Sequence, residues 1–544
     1  MAEVKPSSTL VIGASALGTM FEWYDFFLYG SLASFIASHF FSGVNENTGF
    51  IFALAAFAVG FVVRPIGALV FGRLGDLVGR KNTFLATLVI MGLSTVLVGF
   101  LPGYDSIGIA APVILVGLRI MQGLALGGEF GGAITYVAEH APEGRRGLHT
   151  ACIPATAMAG LLLSLIVIMV TRATMAPEVF SDWGWRVPFL ISAFLLGISL
   201  WIRLKLRESP VFEQMKAEGT TSKAPLAESF LRWENLKFVL IALFGGVSGQ
   251  AVLFYTATFY PLYFLQRAAK VDGLTATILV GAALVIGAPL EVFFGWLSDR
   301  IGRKPLVMGG LALGALLSFP LFTALMSAAN PALAAVIRGS PVVVLADPAD
   351  CSFQFDPLGG NKFDSTSCDI ARSFLANAGV SYDSAQLEDA GPARIMIGTQ
   401  SFVAPDPASL PEGERAGATA AFQARVQAAL IDSGYVGSAD PAAINRPLVV
   451  AILMALLGIA AMCSGPIAIL LVELFPARIR YSALSLPQNF GNGWFGGFLP
   501  ATAFAIVAAT GNIYSGLWYP VVIAGATFVI GVLFMPETRG RPIR

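Results

Sequence analysis

Charge is what this sequence has least of. Asp, Glu, Lys and Arg make up 12% of its 544 residues and hydrophobic residues 56%, whereas an average soluble domain is roughly 25% charged. Most of the chain therefore cannot face water. Histidine is scarcer still: His39, His140 and His149 are scattered at helix ends or loops and form no plausible metal site or catalytic triad. There is no Gly-Lys-Ser/Thr loop to cradle a phosphate, which argues against drive by ATP. The composition points away from an enzyme, a cofactor, a bound metal and a nucleic-acid partner.

What the chain has in quantity is apolar length. Runs of about 20 residues, enough to cross a hydrocarbon core of ~30 Å, fall near 10 to 36, 50 to 71, 83 to 101, 113 to 138, 148 to 171, 185 to 204, 237 to 264, 274 to 294, 306 to 328, 447 to 472, 482 to 509 and 515 to 535. They predict twelve transmembrane helices. The first run carries Glu22 and Asp25 in its middle and no small-residue cleavage site, so it reads as a retained span rather than a signal peptide. Short loops rich in Lys and Arg stay in the cytoplasm. With the N-terminus inside, Arg73, Arg80, Lys81, Arg145, Arg146, Arg203, Arg300, Arg303, Lys304, Arg478 and Arg480 all fall on one face, and the short outer loops keep only Arg172, Arg186, Arg267 and Lys270. Both termini are expected in the cytoplasm of a multi-pass membrane protein.

Two short polar stretches occur twice. "GRLGDLVGRK" from Gly72 returns as "GWLSDRIGRK" from Gly295, with six of ten positions identical. "EHAPEGRR" from Glu139 and "ELFPARIR" from Glu473 share the pattern Glu-x-x-Pro-x-x-x-Arg. The first pair lies 223 residues apart and the second 334. Two halves of one design would give a single offset, so roughly 110 residues are inserted between Lys304 and Glu473. Composition locates them: between Arg338 and Arg446 the apolar runs stop, and thirteen acidic residues face seven basic ones. Strand-like stretches at 341 to 347 and 393 to 398 and helix-like ones at 368 to 379 and 413 to 434 predict a small soluble α/β domain. It follows the ninth span and is expected on the outer face, where Cys351 and Cys368 suit a disulfide better than a metal site. Cys152 and Cys463 lie within spans and read as packing residues.

The expected organisation is an N-terminal six-helix half (1 to 206), a cytoplasmic central loop (207 to 236), helices 7 to 9 (237 to 337), the inserted extracytoplasmic domain (338 to 446) and helices 10 to 12 (447 to 544). A Gly-x-Leu-x-Asp-x-x-Gly-Arg-Lys loop after the second helix of each half resembles the major facilitator superfamily. "FEWYDFFLYG", "RPIGALVFGRLGD", "GLALGGEFGGA", "LRESPVFEQM" and "VELFPARIRYSALSL" resemble one branch of it, the metabolite:H+ symporters, which import organic acids, shikimate-like compounds, proline and betaines. The likeness covers nearly the whole chain except 338 to 446, and it implies a place in a bacterial plasma (inner) membrane. It implies two halves rocking about a site near the midplane. It also implies an inner gate held by Asp76, Arg80, Glu139 and Arg146, with Asp299, Arg303, Glu473 and Arg480 as counterparts.

Ionisable groups inside spans are few, and an isolated charge at the bilayer centre costs at least ~2.5 to 3.5 kcal/mol, so each should face a partner or a wet cavity. Glu22, Asp25 and Tyr29 share one stripe of helix 1. Two carboxylates that close repel, so one is expected to hold a proton near neutral pH, as a proton-coupled carrier needs; Glu129 is the further candidate for coupling. Arg119 in helix 4 could grip a carboxylate with two parallel hydrogen bonds or pair internally with Asp25 or Glu22. Arg64 and Glu129 sit at similar depths and are expected to pair with each other. Tyr29, Gln250, Tyr255 and Tyr260, and Gln488, Asn489 and Asn492 on helix 11, could hydrogen-bond a small polar solute. Glu291 reads as part of the gate.

The expectation is a proton-coupled symporter importing a small organic acid or zwitterionic metabolite by alternating access, with the solute, H+ and the lipid bilayer as partners and a monomer as the working unit. An exporter of toxic compounds would share the fold. A transporter-like sensor reporting ligand through the outer domain is the other alternative.

Overall fold

In an apolar solvent every backbone N–H and C=O must find its partner inside the chain, and helices do this locally. The computed structural model, which describes residues 8–43, 46–204, 210–220, 222–352, 363–387, 391–435 and 437–542, is accordingly mostly helical. The long helices of the first half are α1 (Ser8–Ser31), α2 (Glu46–Val62), α3 (Arg64–Val78), α4 (Arg80–Phe100), α5 (Ala110–His140), α6 (Cys152–Ala173) and α7 (Val187–Leu204). Pro65 sits just inside α3 and fixes the break from α2. The second half begins with α8 (Trp233–Ala268), whose turns widen at two π segments, followed by α9 (Gly273–Ile301) and α10 (Arg303–Ala329).

Among the described residues, ten helices are long and apolar enough to cross a membrane. The first and eleventh of the twelve expected runs are not among them. Helix α1 is diluted by Glu22, Asp25 and their polar neighbours, and the eleventh is divided into Arg480–Phe490 and Leu499–Thr510 by a π segment and a turn at residues 497 and 498.

Between α10 and the next long helix lies a mixed four-stranded sheet. Strands β1 (Val342–Ala346), β2 (Asp383–Gln386), β3 (Arg394–Ile397) and β4 (Gln400–Val403) run in the order β2-β1-β3-β4, with only the β1–β2 pair parallel. Helices α11 (Ser367–Ala378) and α12 (Glu412–Asp432) pack on it. The periodicity revealed β1 and β3 because they alternate buried and half-buried residues, and it passed over the four-residue, exposed β2 and the largely exposed β4. Cys351 and Cys368 are joined by a disulfide. The sheet region is tied to loops of the second half: Tyr382 N–H donates to Gly511 O, Asn512 to Asp383, and Ala439 N–H to Lys270 O.

The chain then completes its second half with α13 (Arg446–Leu474), α14 (Arg480–Phe490), α15 (Leu499–Thr510) and α16 (Trp518–Phe534). Helices α9 and α10 pack on α13, as α3 and α4 pack on α5. The halves meet along two equivalent seams, α3 against α14 and α9 against α6 with its preceding turn Arg146–Thr150.

Candidate functional site

The repeated stretches build matching latches across those seams. Gly79 (φ 124°, ψ 152°) and Gly302 (φ 108°, ψ 160°) share a conformation open only to glycine, so each copy turns its chain identically. The Asp76 carboxylate accepts hydrogen bonds from the Ser482 N–H (2.9 Å) and hydroxyl (2.7 Å) in the first turn of α14. Asp299 accepts from the Gly147 and Leu148 N–H groups, both at 2.9 Å, in the turn that begins at Arg146. Each aspartate thus binds the unpaired N–H groups that open a helix of the opposite half. Gly147 and Gly295 let the backbones close: a Cβ added to either would lie about 2.5 Å from the other's carbonyl oxygen.

Ion pairs reinforce the same end of the bundle. Arg480 binds Glu139 across the halves at 2.9 Å, and Arg303 binds Asp299 (2.8 Å) and Glu473 (3.3 Å) within the second half. Arg146 departs from the symmetry, since it reaches exposed Glu143 (3.3 Å) and the Arg541 carbonyl (3.4 Å). The side chain of Arg80 lies outside the described residues.

Deeper in the bundle, Trp23, Arg64, Phe130, Gln250, Tyr255, Ser464, Gln488 and Asn492 are among the residues lining a cavity of about 20 Å³ between the halves. That is room for one or two water molecules, so the walls are closed on each other. Arg64 Nε donates to Asn489 Oδ1 (3.1 Å), Tyr255 hydrogen-bonds the same guanidinium, and Arg64 Nη1 has no partner. Gln250 Oε1 and Gln488 Oε1 are likewise buried without hydrogen-bond partners. A cation from the first half therefore faces neutral hydrogen-bonding groups from the second.

Several placements differ from the sequence reading. Arg119 and Tyr29 do not line this cavity: the Arg119 guanidinium sits 4.3 Å from the Tyr29 ring centre, near Phe26 and Phe57, and donates to Gln122 at 2.6 Å. It forms no ion pair with Asp25 or Glu22, because aromatic faces fill the space around it. Arg64 and Glu129 do not pair either. Glu129 and Glu22 instead share Arg203, at 2.9 and 2.7 Å, in a triad whose side chains are all 2% exposed or less. The two acids on the α1 stripe thus take different partners, since Asp25 accepts from the Ser192 hydroxyl of α7 at 2.5 Å. Finally, Glu291 lies away from the latches and bonds Ser464, and Tyr260 packs among Phe264, Phe322 and Phe504.

Arg203 was read from sequence only as a topology signal. One pattern points to it: Ser192, Ser199 and Arg203 recur at helical spacing and form a buried polar stripe on α7.

Comparison with known proteins agrees with this architecture. A family model described as Major Facilitator Superfamily matches residues 15–349, and one described as Sugar (and other) transporter matches 418–544. A putative proline/betaine transporter of Staphylococcus aureus is 36% identical over 331 residues, 59% of this chain and 69% of the relative. The alpha-ketoglutarate permease of Escherichia coli is 34% identical (59% and 72%), and its shikimate transporter 36% (57% and 71%). The proton:xylose symporter XylE has the same fold, with a TM-score of 0.58 at 15% identity over 98% of this chain and 97% of its own. The chain belongs to the major facilitator superfamily, in its metabolite:H+ symporter family. It is a multi-pass membrane transporter.

Proposed function

We propose that this protein imports a small organic acid or zwitterion together with protons, by alternating access of twelve spans arranged in two halves. The observation that carries the proposal is the cavity between the halves, where Arg64 faces Gln250, Tyr255, Gln488 and Asn492. A guanidinium with an unpartnered N–H is suited to a carboxylate, and neutral amides and a phenol suit the hydroxyl, carbonyl or ammonium groups of the same solute. The relatives' names, which include proline/betaine, alpha-ketoglutarate and shikimate carriers, support this substrate class.

Closed walls around so small a space imply that entry of solute requires the halves to part. The Asp76 and Asp299 contacts, with Glu139–Arg480, act as the inner gate in this reading, and Arg303 and Glu473 brace it. Asp25 is the proton carrier of the first half: it is 4% exposed, its hydrogen-bond partner is a serine, and no ion pair among the described residues reaches it. Glu22 and Glu129, neutralised in part by Arg203, hold the helices that flank it. A membrane potential of ~100 mV gives about 2.3 kcal/mol per proton, and a pH unit adds about 1.4 kcal/mol, so even one proton supports accumulation of several hundredfold.

The test is uptake into proteoliposomes over a panel of monocarboxylates, dicarboxylates, aromatic acids and betaines. Each is measured with and without an inward proton gradient. Gradient-stimulated uptake of at least one carboxylate-bearing solute is expected. Outward movement, or binding with no uptake, would favour the exporter or the sensor.

A further inference from the structure

Glu291 repeats, in the second half, the surroundings of Asp25. It lies in the eighth apolar run, ten residues from the end of α9 at Ile301, or about 15 Å along the axis. Its side chain is 0% exposed, no ion pair among the described residues reaches it, and Oε2 has no hydrogen-bond partner. Its hydrogen-bond contact is a serine hydroxyl, as for Asp25: Ser464 Oγ lies 2.6 Å from Oε1.

That serine decides the protonation pattern. Ser464 Oγ is also 2.8 Å from the Ala460 carbonyl, and a hydroxyl has a single hydrogen to give. A charged Glu291 and the Ala460 carbonyl would compete for it. A protonated Glu291 removes the conflict, since its O–H donates to Ser464 Oγ and the Ser464 O–H donates to Ala460 O. Neutral Glu291 also avoids an unpaired charge in hydrocarbon.

Ionisable groups on the packed elements do not alter this. Cys463 neighbours it on α13, Cys152 lies on α6, and His149 in the turn before α6; none forms a hydrogen bond or ion pair with Glu291. Arg303 is engaged by Asp299 and Glu473 two turns away, and Arg64 lines the cavity that Ser464 also lines.

We infer that Glu291 is a second proton-binding site, linked through Ser464 to the solute cavity, so that the protein moves two protons with each solute. The inference rests on the symport reading above. When the cavity opens to water, the Glu291 O–H bond breaks, its electron pair stays on the carboxylate, and the proton passes to water. Partial relief comes from Ser464, which can then turn its hydrogen to the new charge.

Infrared difference spectroscopy of the purified protein tests the site without any solute, because a protonated carboxyl has a C=O stretch that a carboxylate lacks. Wild type minus Glu291→Gln at neutral pH should contain that band, and Ser464→Ala, which keeps the carboxyl, should shift it. Absence of the band overturns the proposal whether or not transport is proton-coupled. In vesicles clamped at zero potential, proline, 2-oxoglutarate and shikimate serve as solutes. One pH unit should hold about a hundredfold solute gradient in wild type and about tenfold in Glu291→Gln. A tenfold gradient in both would leave symport standing and remove Glu291 from it, whereas no response to pH in wild type would overturn both.

Discussion

Asp76 and Asp299 stand at the same place in the two halves and do the same thing: each accepts hydrogen bonds from N–H groups that open a helix of the other half. The buried interiors behind them are different. The first half buries Arg64, Arg119 and the Glu22–Arg203–Glu129 triad, whereas the second lines the cavity with Gln250, Tyr255, Gln488 and Asn492. The two repeats have kept the aspartate contacts alike. At the cavity itself the first half contributes a guanidinium and the second neutral amides and a phenol; in the proposed function an ionic group of the solute binds the first wall and its neutral groups the second.

The largest expected effect comes from breaking the charged side. Arg203→Ala leaves Glu22 and Glu129 buried without their cation, and breaking a buried pair in this way costs about 3 to 5 kcal/mol. Thermal unfolding of the purified protein should drop sharply and uptake should be lost. Arg203→Lys, which retains the charge, should recover much of the stability.

Next in size is the contrast between the two buried arginines that belong to no ion pair among the described residues. Arg64→Lys keeps the charge and removes the planar fork, so affinity for a carboxylate solute should fall by roughly tenfold or more. Arg119→Lys should change that affinity far less, because Arg119 faces aromatic rings outside the cavity. Equal losses in a binding titration would merge the two sites.

Asp76→Asn and Asp299→Asn probe the likeness itself. Each removes a charged acceptor at a helix start, worth about 0.5 to 2 kcal/mol, and each should slow transport while leaving affinity within a few fold. A silent member of the pair, seen in turnover at saturating solute, would show that the joints are not equivalent. The smallest effect is expected from replacing residues 340 to 445 by a short Gly/Ser linker. Initial uptake should persist, since the two repeat pairs are complete without that segment; lost uptake by a correctly inserted core would give the sheet region a part in delivery or outer closure.

How much of this could be read from sequence depends on where each signal lies. The repeats are local, so Asp76, Asp299 and the extra length between Lys304 and Glu473 are visible as strings. Gln250, Tyr255, Gln488 and Asn492 stood out as polar residues in apolar runs, and all four line the cavity. Choosing between Arg64 and Arg119 was beyond reach, because spans that are apolar on every side do not reveal which face looks inward. Arg203 was hidden by its position near a span end, where any arginine reads as a topology signal. Its partners come from α1 and α5, and only tertiary packing brings them together.

The central claim is that solute and protons move together through Asp25. Uphill uptake and counterflow are measured in the same vesicles, at two external pH values, for wild type, Asp25→Asn and the double variant with Glu291→Gln. The account predicts acid-driven accumulation in wild type, weakened accumulation in Asp25→Asn, and counterflow without accumulation in the double variant. Wild-type accumulation that survives undiminished in the double variant would contradict it.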